Sequence, residues 1–133
     1  MKPKSNQLSH FAIFFGALFG LLGVLIGAFG SHVLSKSLEI QAVAWLEIGV
    51  RYQFTHALAL LFSGLWMRHL SGDRHLKWAI VFFITGTLLF SGSLYVLALS
   101  GMKFFAAITP IGGFCLIIAW TILVTKAYQE LRT

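Results

Sequence analysis

The chain has 133 residues, of which 58% are hydrophobic and 11% are charged, whereas a soluble domain is about 45–50% apolar and about 25% charged. Only four residues are aspartate or glutamate, so the composition excludes a soluble globule, whose surface needs charge for solvation. The net charge of +6 comes from ten lysines and arginines that lie mostly at the ends of apolar runs. This distribution excludes the exposed basic face of a nucleic-acid-binding protein.

Four apolar runs divide the chain, and each is close to the roughly 20 residues that a helix needs to cross a bilayer. They lie at about 11–30, 52–68, 78–99 and 109–128, which predicts a single integral membrane domain over residues 1–133. The predicted fold class is all-α, a four-helix transmembrane bundle. The first run also resembles a signal peptide, but the apolar region of a signal is only about 7–15 residues long. We therefore expect the first run to be retained as an uncleaved span.

Glycine is concentrated on one face of the first run. At about 100° per residue, its glycines fall within a stripe about 80° wide. In lipid, helices associate through close backbone approach, which small residues permit. The stripe therefore predicts a helix-packing seam, either within the bundle or between two copies in a homo-oligomer. Glycines of the third and fourth runs are expected to serve the same purpose on their own helices. The seam residues are Gly16, Gly20, Gly23, Gly27, Gly30, Gly86, Gly112 and Gly113.

Residues 31–50 mix charged and apolar side chains, which predicts a loop followed by interfacial amphipathic turns. A continuous helix from Leu38 to Arg68 would be about 46 Å long, whereas the hydrocarbon core of a bilayer is about 30 Å thick. The first part of such a helix must project, tilt or lie in the interface, and Gly49 is the expected weak point.

The fourth span has two possible starting points. It begins either near Phe104, with a kink at Pro110, or at Pro110 itself with Thr109 as the N-cap. Proline is favoured at the first helical position and threonine at the N-cap, so we prefer the second start. In that case, residues 104–108 form a short apolar segment that dips into the interface.

The positions of lysine and arginine predict the orientation in the membrane. If the N-terminus is inside, seven basic residues lie on the inner side and three on the outer side. Both termini are therefore expected in the cytoplasm. The inner residues are Lys2, Lys4, Arg68, Arg74, Lys77, Lys126 and Arg132, and the outer residues are Lys36, Arg51 and Lys103.

Polar residues from all four helices are expected to converge in the outer half of the bundle, where they form a candidate site. Glu47 precedes Arg51 by four residues, the better order for a helical ion pair, and the functional alternative is a charge pair that gates or binds a polar ligand. His56 serves either as a hydrogen-bonding partner between helices or as a proton relay or ligand. The cluster consists of His32, Glu47, Arg51, Tyr52, His56, Ser91, Tyr95 and Thr109.

Motifs that carry catalysis or cofactor binding are missing from the sequence. It contains no G-x-S-x-G, H-E-x-x-H, Walker loop or G-x-G-x-x-G string. The single cysteine excludes an intramolecular disulfide and any cysteine-based zinc or iron–sulfur site. The spacing of His32, His56 and Glu47 matches no known metal motif. We therefore expect a protein that is not an enzyme, without a cofactor or a metal ion.

Four strings, in this order, resemble a domain-of-unknown-function family of small bacterial inner-membrane proteins that has small eukaryotic transmembrane relatives. They are GAFGSH at 27–32, RYQFTH at 51–56, LFSGSLY at 89–95 and TPIGG at 109–113. Many relatives have alanine where this chain has Ser31. The resemblance covers nearly the whole chain and implies a multi-pass protein of the inner membrane, with no activity to carry over.

Two functions from different classes are consistent with these observations. The first is a non-enzymatic membrane component that binds a partner protein or lipid through its glycine seams and outer polar cluster. The second is a small-solute or proton-linked binding or transport unit that uses the same polar cluster. Contact with the lipid bilayer is expected for both, with a homo-oligomer or a membrane-protein partner as further possibilities, and no nucleic acid.

Overall fold

The computed structural model of the protein describes residues 4–70 and 72–133, and the side chains from residue 7 onward. Within these ranges it contains four long α-helices and no strand. A short 3₁₀ helix at Leu34–Lys36 links the first two helices. The predicted all-α fold class is thus confirmed. The helices are α1 (Lys4–His32), α2 (Ile40–His69), α3 (Arg74–Ser100) and α4 (Phe104–Leu131).

Each helix packs mainly against the helix that precedes or follows it in the chain. Short connections make consecutive helices antiparallel neighbours, so α2 lies between α1 and α3, and α4 covers another face of α3. Among the described residues, α4 does not pack against α1. We call the two ends of the bundle the His32 end and the Asp73 end, after residues in the connections there.

Three helical segments are long and apolar enough to cross a membrane: Gln7–Lys36, Arg74–Ser100 and Phe104–Leu131. Helix α2 is also long enough to cross a membrane, but its mean hydropathy is lower, because polar side chains interrupt its apolar sequence at Arg51, Gln53 and His56. Gln53 and His56 are buried in the bundle, which is where polar groups of a membrane helix find partners.

The region between the first two predicted spans is more regular than expected. Helix α2 begins at Ile40 and continues without a break to His69, so the connection is shorter than the predicted loop, and the continuous helix considered from Leu38 to Arg68 is close to the observed one. The expected weak point, Gly49, lies inside the helix. Its missing side chain makes room for a neighbour, because a Cβ there would lie 2.6 Å from Cε1 of Tyr95.

The preferred start of the fourth span is wrong, and the alternative start near Phe104 is correct. Helix α4 begins at Phe104 and contains Pro110. Proline removes one backbone hydrogen bond from a helix interior, but packing on α3 holds both sides of this position in the same helix. Thr109 is therefore not an N-cap; its hydroxyl donates to the carbonyl of Phe105, 3.2 Å away.

At the Asp73 end, a carboxylate joins the α2–α3 connection to α4. Asp73 accepts a hydrogen bond from the amide of Leu76 at 2.9 Å and caps α3. Lys126 Nζ of α4 lies 2.7 Å from its other oxygen. Burial raises the pKa of Asp73, but the hydrogen bonds from Lys126 and Leu76 and the charges of Lys126 and His75 outweigh burial, so the pKa lies below its usual range.

Candidate functional site

The glycine stripe of α1 lies against α2 within the same molecule. A Cβ at Gly16 would lie 2.9 Å from the carbonyl oxygen of Ala57, and one at Gly27 would lie 3.3 Å from Cγ1 of Val50. Gly20 is the exception, because a Cβ there would meet no atom within 4 Å. The stripe is thus used for packing inside the bundle. The glycines that face α2 are Gly16, Gly23, Gly27 and Gly30.

The other seam glycines lie between α3 and α4. A Cβ at Gly86 would lie 2.7 Å from Cδ2 of Leu116. At Gly112 the two helices approach more closely, because a Cβ there would lie 2.8 Å from Cα of Phe90 and overlap its backbone nitrogen. Gly113 faces the ring of Phe90 at an ordinary 3.7 Å. Gly112 is therefore the position where a side chain is least tolerable.

Three helices are joined by a chain of hydrogen bonds through Gln53, which is buried. The hydroxyl of Tyr95 on α3 donates to Gln53 Oε1 at 2.7 Å. Gln53 Nε2 donates in turn to the carbonyl of Phe19 on α1, also at 2.7 Å. A further bond runs from the hydroxyl of Ser91 to the carbonyl of Gly49 at 2.7 Å. These groups hydrogen-bond to one another and to helix backbone, and among the described residues they do not line a common cavity.

Sequence reasoning missed Gln53 as a member of the polar cluster. The available signal was an amide side chain inside an apolar run, next to two residues that were selected, Arg51 and Tyr52. An amide can bridge two partners because it both donates and accepts. The two partners of Gln53 are a carbonyl of α1 and a hydroxyl of α3. Their positions cannot be read from the sequence of α2.

His56 is buried and hydrogen-bonded on both sides of its ring. Its Nδ1 lies 2.6 Å from the carbonyl oxygen of Tyr52, and Nε2 lies 3.1 Å from the indole Nε1 of Trp120 on α4. A carbonyl only accepts and an indole N–H only donates, so this geometry selects the neutral ring with the proton on Nδ1. Protonation of Nε2 would direct a second N–H at the indole N–H. Trp120 is a partner that sequence reasoning did not include.

Of the remaining cluster residues, Tyr52 stacks on the ring of His56, and the other four form no hydrogen bond with these groups. His32 is exposed at the end of α1. Thr109 joins α4 to α3 through the hydroxyl of Ser93, 2.7 Å away. Glu47 and Arg51 are both exposed on α2 and do not form the predicted ion pair. Within the described part of the chain, no three histidine, cysteine or acidic residues are grouped closely enough to hold a metal ion.

Two cavities border the exposed face of α2. One, of about 410 Å³, lies between α1 and α2 at the His32 end, and Glu47 and Arg51 line it. The other, of about 460 Å³, lies between α2 and α4, with Tyr52, His56 and Trp120 among its lining residues. The predicted cluster is therefore divided between interhelical hydrogen bonds and two surface cavities, both of which Arg51 lines.

Comparison with known proteins identifies relatives across bacteria. Residues 26–113 match the family described as "Protein of unknown function (DUF423)". The chain is 41% identical over 124 residues to the UPF0382 inner membrane protein YgdD of Escherichia coli (strain K12), covering 93% of this chain and 94% of the relative. It is 37% identical over 119 residues to the UPF0382 membrane protein YwdK of Bacillus subtilis (strain 168), covering 90% and 97%. No solved structure matches the chain.

These findings agree with the four sequence motifs and with the all-helical fold. The relatives are named membrane proteins, one of them an inner membrane protein, and three described segments here are suited to crossing a membrane. The predicted multi-pass location in the inner membrane is thereby confirmed. The matches cover nearly the full length of the chain and of its relatives. The chain belongs to the DUF423 (UPF0382) family of small membrane proteins of unknown function.

Proposed function

We propose that this protein is a non-enzymatic component of the bacterial inner membrane that binds a lipid or a membrane-embedded partner protein. The observation that carries the proposal is the use of the buried polar groups. The buried Gln53, Ser91 and His56 and the partly buried Tyr95 each hydrogen-bond to a neighbouring helix or to helix backbone. A catalytic site needs a nucleophile and a base directed at a substrate, whereas these groups are directed at one another.

The lipid-exposed surface supports binding at the side of the bundle. Large apolar side chains are exposed on every helix, and the two cavities beside α2 open at this surface. In a bilayer these surfaces contact acyl chains or the helices of other proteins. Binding there requires no chemistry from the side chains, only a fit of shape and charge.

The proposal includes a topology with four spans and both termini in the cytoplasm. Helix α2 lies between two helices that are suited to crossing the membrane, and its polar side chains Gln53 and His56 are buried against them or against α4. The excess of lysine and arginine at the Asp73 end supports its placement on the cytoplasmic side. A reporter inserted after Gly101 should be periplasmic, and a cytoplasmic signal there would overturn this topology.

Native mass spectrometry of the full chain in a mild detergent, combined with crosslinking in intact membranes, tests the proposed function. We expect a lipid or a protein to remain bound after the detergent has been removed in the gas phase, or a specific crosslinked neighbour. A bare monomer without a crosslinked neighbour would contradict the proposal.

A second candidate function, binding of a small solute, is favoured by the cavity between α2 and α4. Arg51, Tyr52 and His56 of the predicted cluster line this cavity. If a solute binds there, native mass spectrometry should detect a small retained mass that His56→Ala abolishes while the protein stays folded. If the retained mass is unchanged in His56→Ala, this candidate is wrong.

A further inference from the structure

We propose that the cavity between α1 and α2 at the His32 end binds the phosphoethanolamine headgroup of a phosphatidylethanolamine lipid. This inference rests on the proposed function and names the lipid and its site. We call this space the α1–α2 cavity; among the residues that line it are Gly27, Gly30, Ser31, Ser35, Glu47 and Arg51.

Two glycines of α1 line the α1–α2 cavity with backbone alone. Helix α2 packs closely at Gly27, where a Cβ would lie 3.3 Å from Val50, and at an ordinary distance at Gly30, where a Cβ would lie 3.9 Å from Leu46. The cavity volume of about 410 Å³ lies within the range of about 300–1,000 Å³ that is usual for small-molecule sites. The space is large enough for a headgroup, and its floor is apolar.

Two opposite charges line this cavity, and neither is neutralised by a protein group. Among the described residues, the Glu47 carboxylate and the Arg51 guanidinium have no ion-pair partner. One helical turn separates them, about 6 Å along the axis. A guanidinium is suited to phosphate recognition and a carboxylate accepts hydrogen bonds from an ammonium group. The pair therefore matches a ligand that carries a phosphate close to an ammonium.

Two serine hydroxyls provide further acceptors at the same place. The hydroxyl of Ser31 donates to the carbonyl of Ala28 at 3.1 Å, and that of Ser35 donates to the carbonyl of Ser31 at 2.6 Å. Each hydroxyl oxygen still has lone pairs that can accept a hydrogen bond. A primary ammonium has three N–H donors, which the Glu47 carboxylate and these two oxygens can accept.

Among membrane lipids, phosphatidylethanolamine has this combination of groups. Phosphatidylglycerol has the phosphate but no cation for Glu47. Phosphatidylcholine has both charges, but its ammonium is fully methylated and cannot donate a hydrogen bond. The α1–α2 cavity also lies near the ends of α1 and α2, next to the connection that contains the exposed Lys36. Lipid headgroups surround a transmembrane bundle of this length at that level. The acyl chains would follow the apolar helix surface below it.

The test measures lipid retention by native mass spectrometry, with the full chain in detergent and the three lipids at equal concentration and with identical acyl chains. The wild-type protein should retain phosphatidylethanolamine about tenfold more than phosphatidylcholine, the fold-change expected for a charge-assisted hydrogen bond. Glu47→Gln should remove this preference. Arg51→Gln should lower the retention of all three phospholipids about tenfold.

Matched controls remove the same charges at the same end of the bundle but outside the α1–α2 cavity. Glu39→Gln and Lys103→Gln change exposed residues that do not line it, and both should retain the wild-type preference. Ser31→Leu, also at an exposed position, should block the cavity without changing any charge and should lower retention of phosphatidylethanolamine. Thermal melts in detergent establish that each variant is folded.

Equal retention of phosphatidylethanolamine and phosphatidylcholine by the wild-type protein would overturn the headgroup assignment. So would an unchanged preference in Glu47→Gln, or binding of soluble phosphoethanolamine without binding of the lipid. In these cases a retained lipid without headgroup preference, or a crosslinked protein neighbour, would leave the proposed function intact. A bare monomer without a crosslinked neighbour would contradict both proposals.

Discussion

At the scale of single residues, the buried polar side chains act mainly as connections between helices. Gln53 contacts groups that lie 34 and 42 residues away in the chain, and His56 contacts Trp120 at a separation of 64. In a membrane, apolar burial does not drive helices together, so such hydrogen bonds and close packing determine which helices associate. Among the described residues, the buried hydroxyls of Ser63 and Thr87 have no hydrogen-bond partner.

The central role of Gln53 leads to a stability prediction. Gln53→Ala should lower the free energy of unfolding in detergent by about 1–3 kcal/mol, because the partly buried Tyr95 hydroxyl loses its acceptor and the Phe19 carbonyl loses the hydrogen bond that it accepts from α2. The measurement is thermal or denaturant unfolding followed by circular dichroism. Gln41→Ala, an exposed substitution on the same helix, is the control. Equal stability of the two variants would show that the connection contributes nothing.

At the scale of helices, glycines determine how closely neighbours approach. Helix α4 meets α3 most closely at Gly112, where a Cβ would overlap the backbone of Phe90. Backbone cannot move aside as the end of a flexible side chain can, so this contact requires glycine. On α1, Gly27 and Gly30 meet side chains of α2, at 3.3 Å and 3.9 Å from an added Cβ, instead of backbone, and both glycines line the α1–α2 cavity.

The contrast between Gly112 and Gly20 provides a second prediction. Gly112→Ala should separate α3 from α4 and destabilise the protein by about 1–3 kcal/mol or more, as overpacking of a core does. Gly20→Ala adds the same methyl group where no atom lies within 4 Å and should leave the melting temperature unchanged or slightly raised. Both variants are compared by thermal unfolding in one detergent. A Gly112→Ala protein as stable as Gly20→Ala would contradict the close approach of α3 and α4.

At the scale of the whole molecule, the bundle is open on the side between α2 and α4. Helix α4 packs against α3, and it reaches α2 through side chains such as Trp120. The ion pair between Asp73 and Lys126 attaches the last part of α4 to the α2–α3 connection. This pair holds the Asp73 end of the bundle together, opposite the α1–α2 cavity.

The lowered pKa of Asp73 predicts how acid affects this attachment. A carboxyl whose pKa is lower in the folded state stabilises the fold above its unfolded pKa of about 3.9, and this contribution is lost as the pH falls through the lower folded value. After correction for the intrinsic pH dependence of amide exchange, hydrogen exchange near the C-terminal end of α4 should therefore show reduced protection below about pH 4. Asp73→Asn should show the faster exchange already at neutral pH and lose this pH dependence. The control Glu130→Gln, at an exposed residue that also lies near Lys126, should retain the pH dependence of the wild type.

The sequence by itself determined that this is an all-α membrane protein with a glycine seam on its first helix. Composition and residue spacing are sufficient for these conclusions. A long apolar run indicates a segment that lies in the bilayer, and the period of the α-helix shows which residues share one face. The same information indicated that polar residues of several helices, including Ser91, Tyr95 and His56, lie within apolar spans and need partners there.

Only the tertiary structure decided which of these groups meet. It placed Gln53 between Tyr95 and the Phe19 carbonyl, directed Trp120 at His56, and left Glu47 and Arg51 beside a cavity instead of in a pair. It also kept Pro110 inside α4, against the local preference of proline for a helix start. The physical reason is that contacts between helices depend on their rotation and axial offset. Packing along whole interfaces sets both, and no single segment of the sequence contains that information.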